Sequence, residues 1–493
     1  MDNRFYFGFN TSEERKKRRK AELYSMSEQV STFFWDEAPQ HGLEMREGQQ
    51  DMSFEIVDAL INDQHFAIEA GVGIGKSFGY LVPVLLYSKR MNKPVIIATS
   101  TIALQEQLWR DVHTVMPLLG LNRDVILAKG QTHYLCNKRA DEYMCDPKAD
   151  PPDALKEGIK QGYEERKDFP EVLPQGVWDK VNVQRFSMKN CGSCEKKCKY
   201  YKVRAALKFT DGVVLCNQDF LTQHLMKLRR GQEGLINAAA DLLVVDEAHN
   251  LDDKVRSATT ERFGQGMLFG MIKSAFYELR SFDQSSVSGE KREAESAIIA
   301  FYNCLKAQVQ KQINEAEQDM RYADRFFFDN NGSAIELLTE MNAAIHNLSS
   351  SIQIYSSMDF RNNRSFAASD DLDAVSESLS ELLDRIDDML IWIEQHGSNT
   401  ELVYCPKNTR EIVSRLYFNG DERTILTSAT LTNATSGSLE EQYSYFISNT
   451  GFPAGDRGCL SEPKPSPYPY DEHAMIYYCD DLPHPTREHE AFI

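Results

Sequence analysis

The stretch Glu69-Ala70-Gly71-Val72-Gly73-Ile74-Gly75-Lys76-Ser77 decides how this 493-residue chain is read. Phe66-Ala67-Ile68 before it suits a short strand. Phe78 to Tyr87 after it, with Tyr80, Leu81, Val84 and Leu85 at helical spacing, suits a helix. Strand, glycine-rich loop, Lys-Ser and helix together form the context of a phosphate-binding loop. Gly71, Gly73 and Gly75 let backbone N–H groups turn towards one point, where the helix N-terminus adds its positive dipole end. Lys76 is placed to reach the β- and γ-phosphates and the Ser77 hydroxyl to hold Mg²⁺. Ala70 stands where the pattern has its first glycine, and Val72 and Ile74 stand where a hydroxyl residue is expected. A dinucleotide loop fits poorly, because Lys76 occupies the place of its third glycine.

The length allows about three domains at ~150 residues each. Hydrophobic residues are 42% and charged residues 26%, the balance of a soluble globular protein. No apolar run approaches the ~20 residues of a membrane span, and the polar N-terminus is no signal peptide, so a cytoplasmic protein without membrane contact is expected. The net charge of −19 argues against a surface coated in nucleic acid, but leaves room for a local basic channel. The run Arg15-Lys16-Lys17-Arg18-Arg19-Lys20 reads first as a solvated helix face.

Residues 1–40 form a polar, partly helical extension. Arg46-Glu47-Gly48-Gln49 then precedes a helical pattern through Met52, Ile56, Val57 and Leu60. Gln49 suits either an adenine edge, which its amide can both donate to and accept from, or plain solvent. Pro94 to Thr101 reads as a buried strand ending in hydroxyl residues, followed by a helix through Leu104, Gln107 and Leu108. This alternation implies a parallel sheet with sites at the strand C-termini.

Residues 128–202 change character: cysteines gather at Cys136, Cys145, Cys191, Cys194 and Cys198, out of ten in the chain. Cys191-x2-Cys194-x3-Cys198 is ligand spacing for one metal centre, with Cys136 or Cys145 available as the fourth thiolate. Zinc and an iron–sulfur cluster both fit. Cys216, inside the apolar strand Val213 to Asn217, reads as core.

A second buried run, Leu242-Leu243-Val244-Val245, ends in Asp246-Glu247-Ala248-His249. Adjacent carboxylates at a buried strand end need solvation or partners. Beside Mg²⁺-ATP they have roles: Asp246 for the metal, Glu247 to polarise the attacking water. Residues 263–403 read as a helical insertion with few strand signals, for example Glu293 to Ile313 and Leu372 to Ile393. The sheet resumes at Glu422 to Thr432, whose turn Thr427-Ser428-Ala429-Thr430 is placed to sense a γ-phosphate. Further on, Ala474 to Tyr478 reads as a strand.

These motifs, in this order, resemble motifs I, II and III of superfamily 2 helicases. His133-Tyr134-Leu135-Cys136, the three close cysteines followed by Lys199 to Arg204, and Asn217-Gln218-Asp219-Phe220-Leu221 resemble the XPD/DinG helicases with an iron–sulfur domain, the bacterial DinG type above all. The resemblance runs from about residue 40 to the end. It implies an α/β fold: a RecA-like motor domain over 41–127, 203–262 and 404–435, interrupted by an iron–sulfur domain at 128–202 and a helical arch domain at 263–403. Residues 436–493 would be the incomplete start of a second RecA-like domain.

The resemblance also implies ATP-driven 5′→3′ translocation on single-stranded DNA and unwinding of forked or tailed duplexes, by a monomer. In that scheme Lys76, Asp246, Glu247 and His249 are catalytic, and Gln49, Gly71, Gly73, Gly75, Lys76 and Ser77 bind ATP. Ser77 and Asp246 hold magnesium, and Ser428 and Thr430 couple hydrolysis to movement. Cys136, Cys191, Cys194 and Cys198 would carry a [4Fe–4S] cluster, with Cys145 left over. The family's Gln-x-x-Gly-Arg-x-x-Arg motif is not found after Thr430. Its arginines contribute ~10³–10⁵ in rate in related NTPases. The chain by itself is therefore expected to bind ATP weakly, hydrolyse it slowly and not unwind. The alternative is an impaired fragment that binds DNA or a partner.

Overall fold

The computed structural model describes residues 12–184, 186–315, 324–357, 367–455, 457–468, 475 and 482. Within these the strands are β1 (His65–Glu69), β2 (Val95–Thr99), β3 (Val125–Leu127), β4 (Val213–Asn217), β5 (Leu242–Asp246), β6 (Glu261–Gly264), β7 (Arg325–Phe327), β8 (Met389–His396), β9 (Asn399–Pro406), β10 (Arg423–Ser428) and β11 (Gly458–Leu460). The helices that matter below are α1 (Ser12–Thr32), α2 (Glu47–Ile61), α3 (Lys76–Met91), α4 (Ile102–Leu118), α5 (Asn137–Cys145), α6 (Lys199–Phe209), α7 (Gln218–Arg229), α8 (Ser288–Glu315), α9 (Gly332–Ser357) and α10 (Ala367–Asp384). Two compact units result: the chain up to residue 251 together with the chain from 414 on, and residues 252–413.

The first unit is built on a seven-stranded parallel sheet in the order β11-β1-β10-β5-β2-β4-β3. Its central strands are continuous apolar runs because helices cover both faces of a parallel sheet; β2 is buried along its whole length. Thr101 caps α4 by accepting from Leu104 N–H at 3.3 Å, and Asn217 caps α7 by accepting from Phe220 N–H at 2.9 Å. The hydroxyl residues at the end of β2 thus serve the next helix.

Within the extension expected at 1–40, α1 is helical and does not form a unit of its own. Leu23, Met26 and Val30, spaced by three and four, bury into the same core as α2 and α3. The expected boundary at 435 does not fall there either. Residues 444–450 form a helix, and β11 pairs in parallel with β1, so the first sheet continues past that point. The strand expected at 474–478 lies outside the described residues, apart from Met475.

Residues 128–202 pack around two small cores in the same unit, one on Trp178, Phe169 and Leu155 and one on Tyr134, Val183 and Tyr200.

The second unit is helical as expected over α8, α9 and α10, but it also holds a four-stranded antiparallel sheet, β6-β9-β8-β7. Leu372 to Ile393 was expected to be one helix. The helix ends at Asp384, and Met389-Leu390-Ile391-Trp392-Ile393 enters β8 instead. Its Ile391, Trp392 and Ile393 are β-branched or aromatic, a strand composition, and the run pairs with β9 across the two-residue turn Gly397-Ser398. Ile393 and Leu402 bury against Leu338, Ile345 and Leu372 in that unit's own core.

Candidate functional site

The glycine-rich loop leaves β1 and enters α3 through Gly75, whose φ of 87° lies in the left-handed region that glycine tolerates. Gly73 has φ 89° for the same reason. Val72 is exposed. Ile74 is buried under the loop in the main core, so the apolar residue serves packing, worth about 1.5–3 kcal/mol.

Sheet order brings the distant motifs together. β10 lies between β1 and β5, with Glu69 opposite Ser428 and Thr427 opposite Asp246. The loop after β1, the carboxylates after β5 and the hydroxyl turn after β10 therefore share one edge, at the C-terminal ends of adjacent parallel strands.

At that edge Lys76 Nζ stands 3.3 Å from Glu247 Oε1, with only 15% and 23% of the two side chains exposed. Glu247 Oε2 lies 3.3 Å from both Ser428 Oγ and His249 Nδ1, and the last two are 2.6 Å apart. Thr430 N–H donates to Ser428 Oγ at 3.4 Å. Glu247 holds a left-handed backbone (φ 57°, ψ 48°), a strained position for a non-glycine residue. Gln218 Nε2 supports it by donating to the carbonyls of Asp246 and Glu247 at 2.7 and 3.0 Å.

Asp246 Oδ2 accepts from Tyr80 Oη at 3.2 Å. Burial, then the neighbouring Glu247 charge, push its carboxyl up to about 6, against the pull of Lys76 and Tyr80. A half-buried acid destabilised by a second acid suits a divalent cation, which would relieve both. The Ser77 hydroxyl hydrogen-bonds Asp111, whose carboxyl burial also raises.

Gln49 Nε2 donates to Gly75 O at 2.9 Å, which ties α2 to the loop, and its buried Oε1 has no partner among the described residues. That orphaned acceptor fits a ligand amino group.

Several partners carry no sequence motif. Glu69 Oε2 accepts from Leu431 N and Thr432 N at 2.6 Å each and from Thr432 Oγ1 at 2.8 Å, clamping the turn after β10 to the start of the loop. Beyond β11 the chain runs on beside β1: Gly71 N–H donates to Lys464 O at 2.9 Å, Ser466 Oγ to Val72 O at 2.7 Å, and Lys464 Nζ reaches Glu55 on α2 at 2.8 Å. Tyr468 lies against Gly73 and under the Arg46 guanidinium, 5.8 Å from its ring centre.

The cysteines of residues 136–198 are free thiols, and Cys145 is exposed. Cys136 and Cys198 stand at the N-caps of α5 and α6 and pack on the same small core. The Cys198 thiol is raised by burial and by the nearby charges of Cys136 and Cys191. Among the described residues no group of three or more His, Cys, Asp or Glu side chains is arranged to hold a metal. The donor chemistry fits a thiolate-bound group; an assembled ligand set is not seen.

Residues 132–266 match the DEAD_2 family model. The chain is 24% identical over 479 residues to a probable ATP-dependent helicase, YpvA, of Bacillus subtilis (strain 168), covering 91% of this chain and 69% of that protein. It is 26% identical over 496 residues to the 3′-5′ exonuclease DinG of the same organism, covering 88% and 50%. Over 240 residues it is 30% identical to the ATP-dependent DNA helicase YoaA of Escherichia coli (strain K12), covering 46% and 36%. The chain thus spans half or less of two of these relatives. Residues 132–266 are thus similar to DEAD_2 domains, and the chain is similar at modest identity to proteins named as DinG-type helicases. No described helix is long and apolar enough to cross a membrane.

Proposed function

We propose that this chain holds the ATP site and DNA-engaging region of a DinG-type ATP-dependent DNA helicase, an enzyme that moves 5′→3′ on single-stranded DNA in the cytoplasm. The observation that carries the reading is the convergence of Lys76, Glu247, His249 and Ser428 at one sheet edge. Lys76 leaves its ion pair for the β- and γ-phosphates, which frees Glu247 to accept a proton from the attacking water. His249 and Ser428 share the released carboxylate and pass its change of partner to Thr430 and the turn after β10. Glu69 holds that turn to the loop, so the two move together. Gln49 reads the adenine through its unpaired Oε1. Ser77 and Asp246 would hold magnesium, which would neutralise phosphate charge there.

Cys136, Cys191, Cys194 and Cys198 would hold the iron–sulfur cluster, whose role is to fix residues 128–202 as a rigid element. Purified protein should show broad visible absorbance that a reductant bleaches, with about four irons per chain. A colourless protein with stoichiometric zinc would overturn the cluster.

ATP turnover measured with and without an oligo-dT strand tests the main reading. DNA-stimulated turnover that is lost in Lys76→Ala supports the motor. Binding of ATP and DNA with negligible turnover would assign the weaker role of a binding fragment, and binding of neither would overturn both.

A further inference from the structure

A cavity of about 590 Å³ opens beside β3, between α4 and α6, and none of the residues proposed above for the nucleotide site lines it. Its volume lies within the ~300–1,000 Å³ of sites that take a small organic ligand. The floor is apolar, made by Val125, Ile126 and Leu127 of β3 and by Val203 of α6. One wall is Trp109, half-buried, its ring 4.4 Å from that of His113. The rim is cationic: Arg110, Lys167, Lys199 and Lys202.

The carboxylates there are already matched. Glu106 meets Lys129 at 2.8 Å and Lys167 at 2.7 Å, and Glu165 meets Lys129 at 3.0 Å and Lys199 at 2.5 Å. This network holds the Glu106 carboxyl down at about 2, so both acids stay ionised and the lysines stay in place. Arg110 is left at the rim, and Lys202 makes only a 3.8 Å contact with Glu164 at its exposed end. In a chain of net charge −19, an apolar slot under a surplus of cations is a local exception.

We propose that this cavity grips single-stranded nucleic acid: one base enters the apolar floor against Trp109, and the flanking phosphates rest on Arg110 and Lys202. The proposal rests on the DNA-binding reading above and adds where the strand is held. Base stacking on an aromatic wall beside a basic rim is the general mode of sequence-tolerant single-strand binding. An acidic peptide is a poorer fit, because β3 is three residues long and offers little backbone for strand addition.

The test uses the full chain and a fluorescein-labelled dT15 strand, read by anisotropy across a salt series. Lys202→Glu is compared with Lys89→Glu, an equal charge change at an exposed position on α3, and melting curves confirm that both fold. Lys202→Glu should weaken binding about tenfold and flatten the salt dependence, while Lys89→Glu should change little. An iododeoxyuridine strand should photocrosslink to the peptide containing Trp109. If the wild-type chain binds no dT15, the DNA reading of the protein fails. If it binds but the two variants behave alike and the crosslink maps elsewhere, the cavity assignment alone is overturned. Binding of an acidic peptide at the cavity, undisturbed by dT15, would also overturn it.

Discussion

Lys76 and Glu247, 171 positions apart in sequence, face each other at 3.3 Å at the mouth of the proposed nucleotide site. The lysine that should meet phosphate is held by the acid that should activate water. In the proposed mechanism an incoming phosphate draws Lys76 out of this pair, which would link the two functions.

Glu247→Gln should separate them. The neutral amide cannot take up a proton, so hydrolysis should fall by about 10²–10⁴. Lys76 loses its counter-charge, so ATP binding, followed with a fluorescent ATP analogue, should be as tight as wild type or tighter. Weaker binding in this variant would show that the pair positions Lys76 instead of restraining it.

Glu69 offers a second variant. One oxygen accepts from Leu431 N, Thr432 N and Thr432 Oγ1. Glu69→Ala leaves two backbone donors without their acceptor and should cost about 1–3 kcal/mol in urea unfolding. Glu69→Gln keeps an acceptor and should lose less. Equal losses would argue that the carboxylate acts through charge alone.

Gly73 is constrained twice. An added Cβ would sit 2.2 Å from the Tyr468 ring, and φ is 89°. Gly73→Ala should therefore lower the melting temperature, and combining it with Tyr468→Ala should recover the steric part of that loss while leaving the backbone strain, about 1–2 kcal/mol. Gly71→Ala should resist such rescue, because its Cβ would meet the backbone nitrogen of Ser466 at 2.6 Å.

Two buried histidines set an acid limit. His65 Nδ1 accepts from Thr424 N–H at 3.1 Å and its Nε2 lies 3.2 Å from Phe418 O; His224 Nδ1 accepts from Leu235 and Ile236 N–H at 3.0 and 3.2 Å. Burial, then nearby arginines, lower each to about 4. Because the folded value lies below the ordinary 6.5, the unfolded chain takes up these protons first. Stability is therefore intact above pH ~6.5 and declines as pH falls towards 4, by roughly 2–3 kcal/mol per histidine. Urea unfolding between pH 7.5 and 4 should show the decline, and His224→Gln should remove its share of the slope.

Much of this was legible along the chain. The glycine loop with Lys76-Ser77, the apolar run ending in Asp246-Glu247 and the hydroxyl turn at Ser428 each announce a strand end with chemistry on it, because their spacing is local. The antiparallel sheet of the second unit was there to be read in Met389 to Ile393, but the apolar pattern continuing from α10 masked the change of period. Gln218, Tyr80 and Glu69 were not legible as site residues. Each looks like an ordinary polar or aromatic residue until folding sets it beside its partner.

The sequence by itself determined that β1, β5 and β10 end in these side chains, since composition and turn residues act over a few positions. Only the tertiary structure decided that β10 would insert between β1 and β5. That order places Ser428 against His249 across 179 positions and lays Lys464 to Tyr468 along the loop. Strand order is set by which apolar surfaces bury together over long range, and no local pattern encodes it. The glycine loop, an imperfect motif by itself, became a candidate site only through neighbours that the fold supplied.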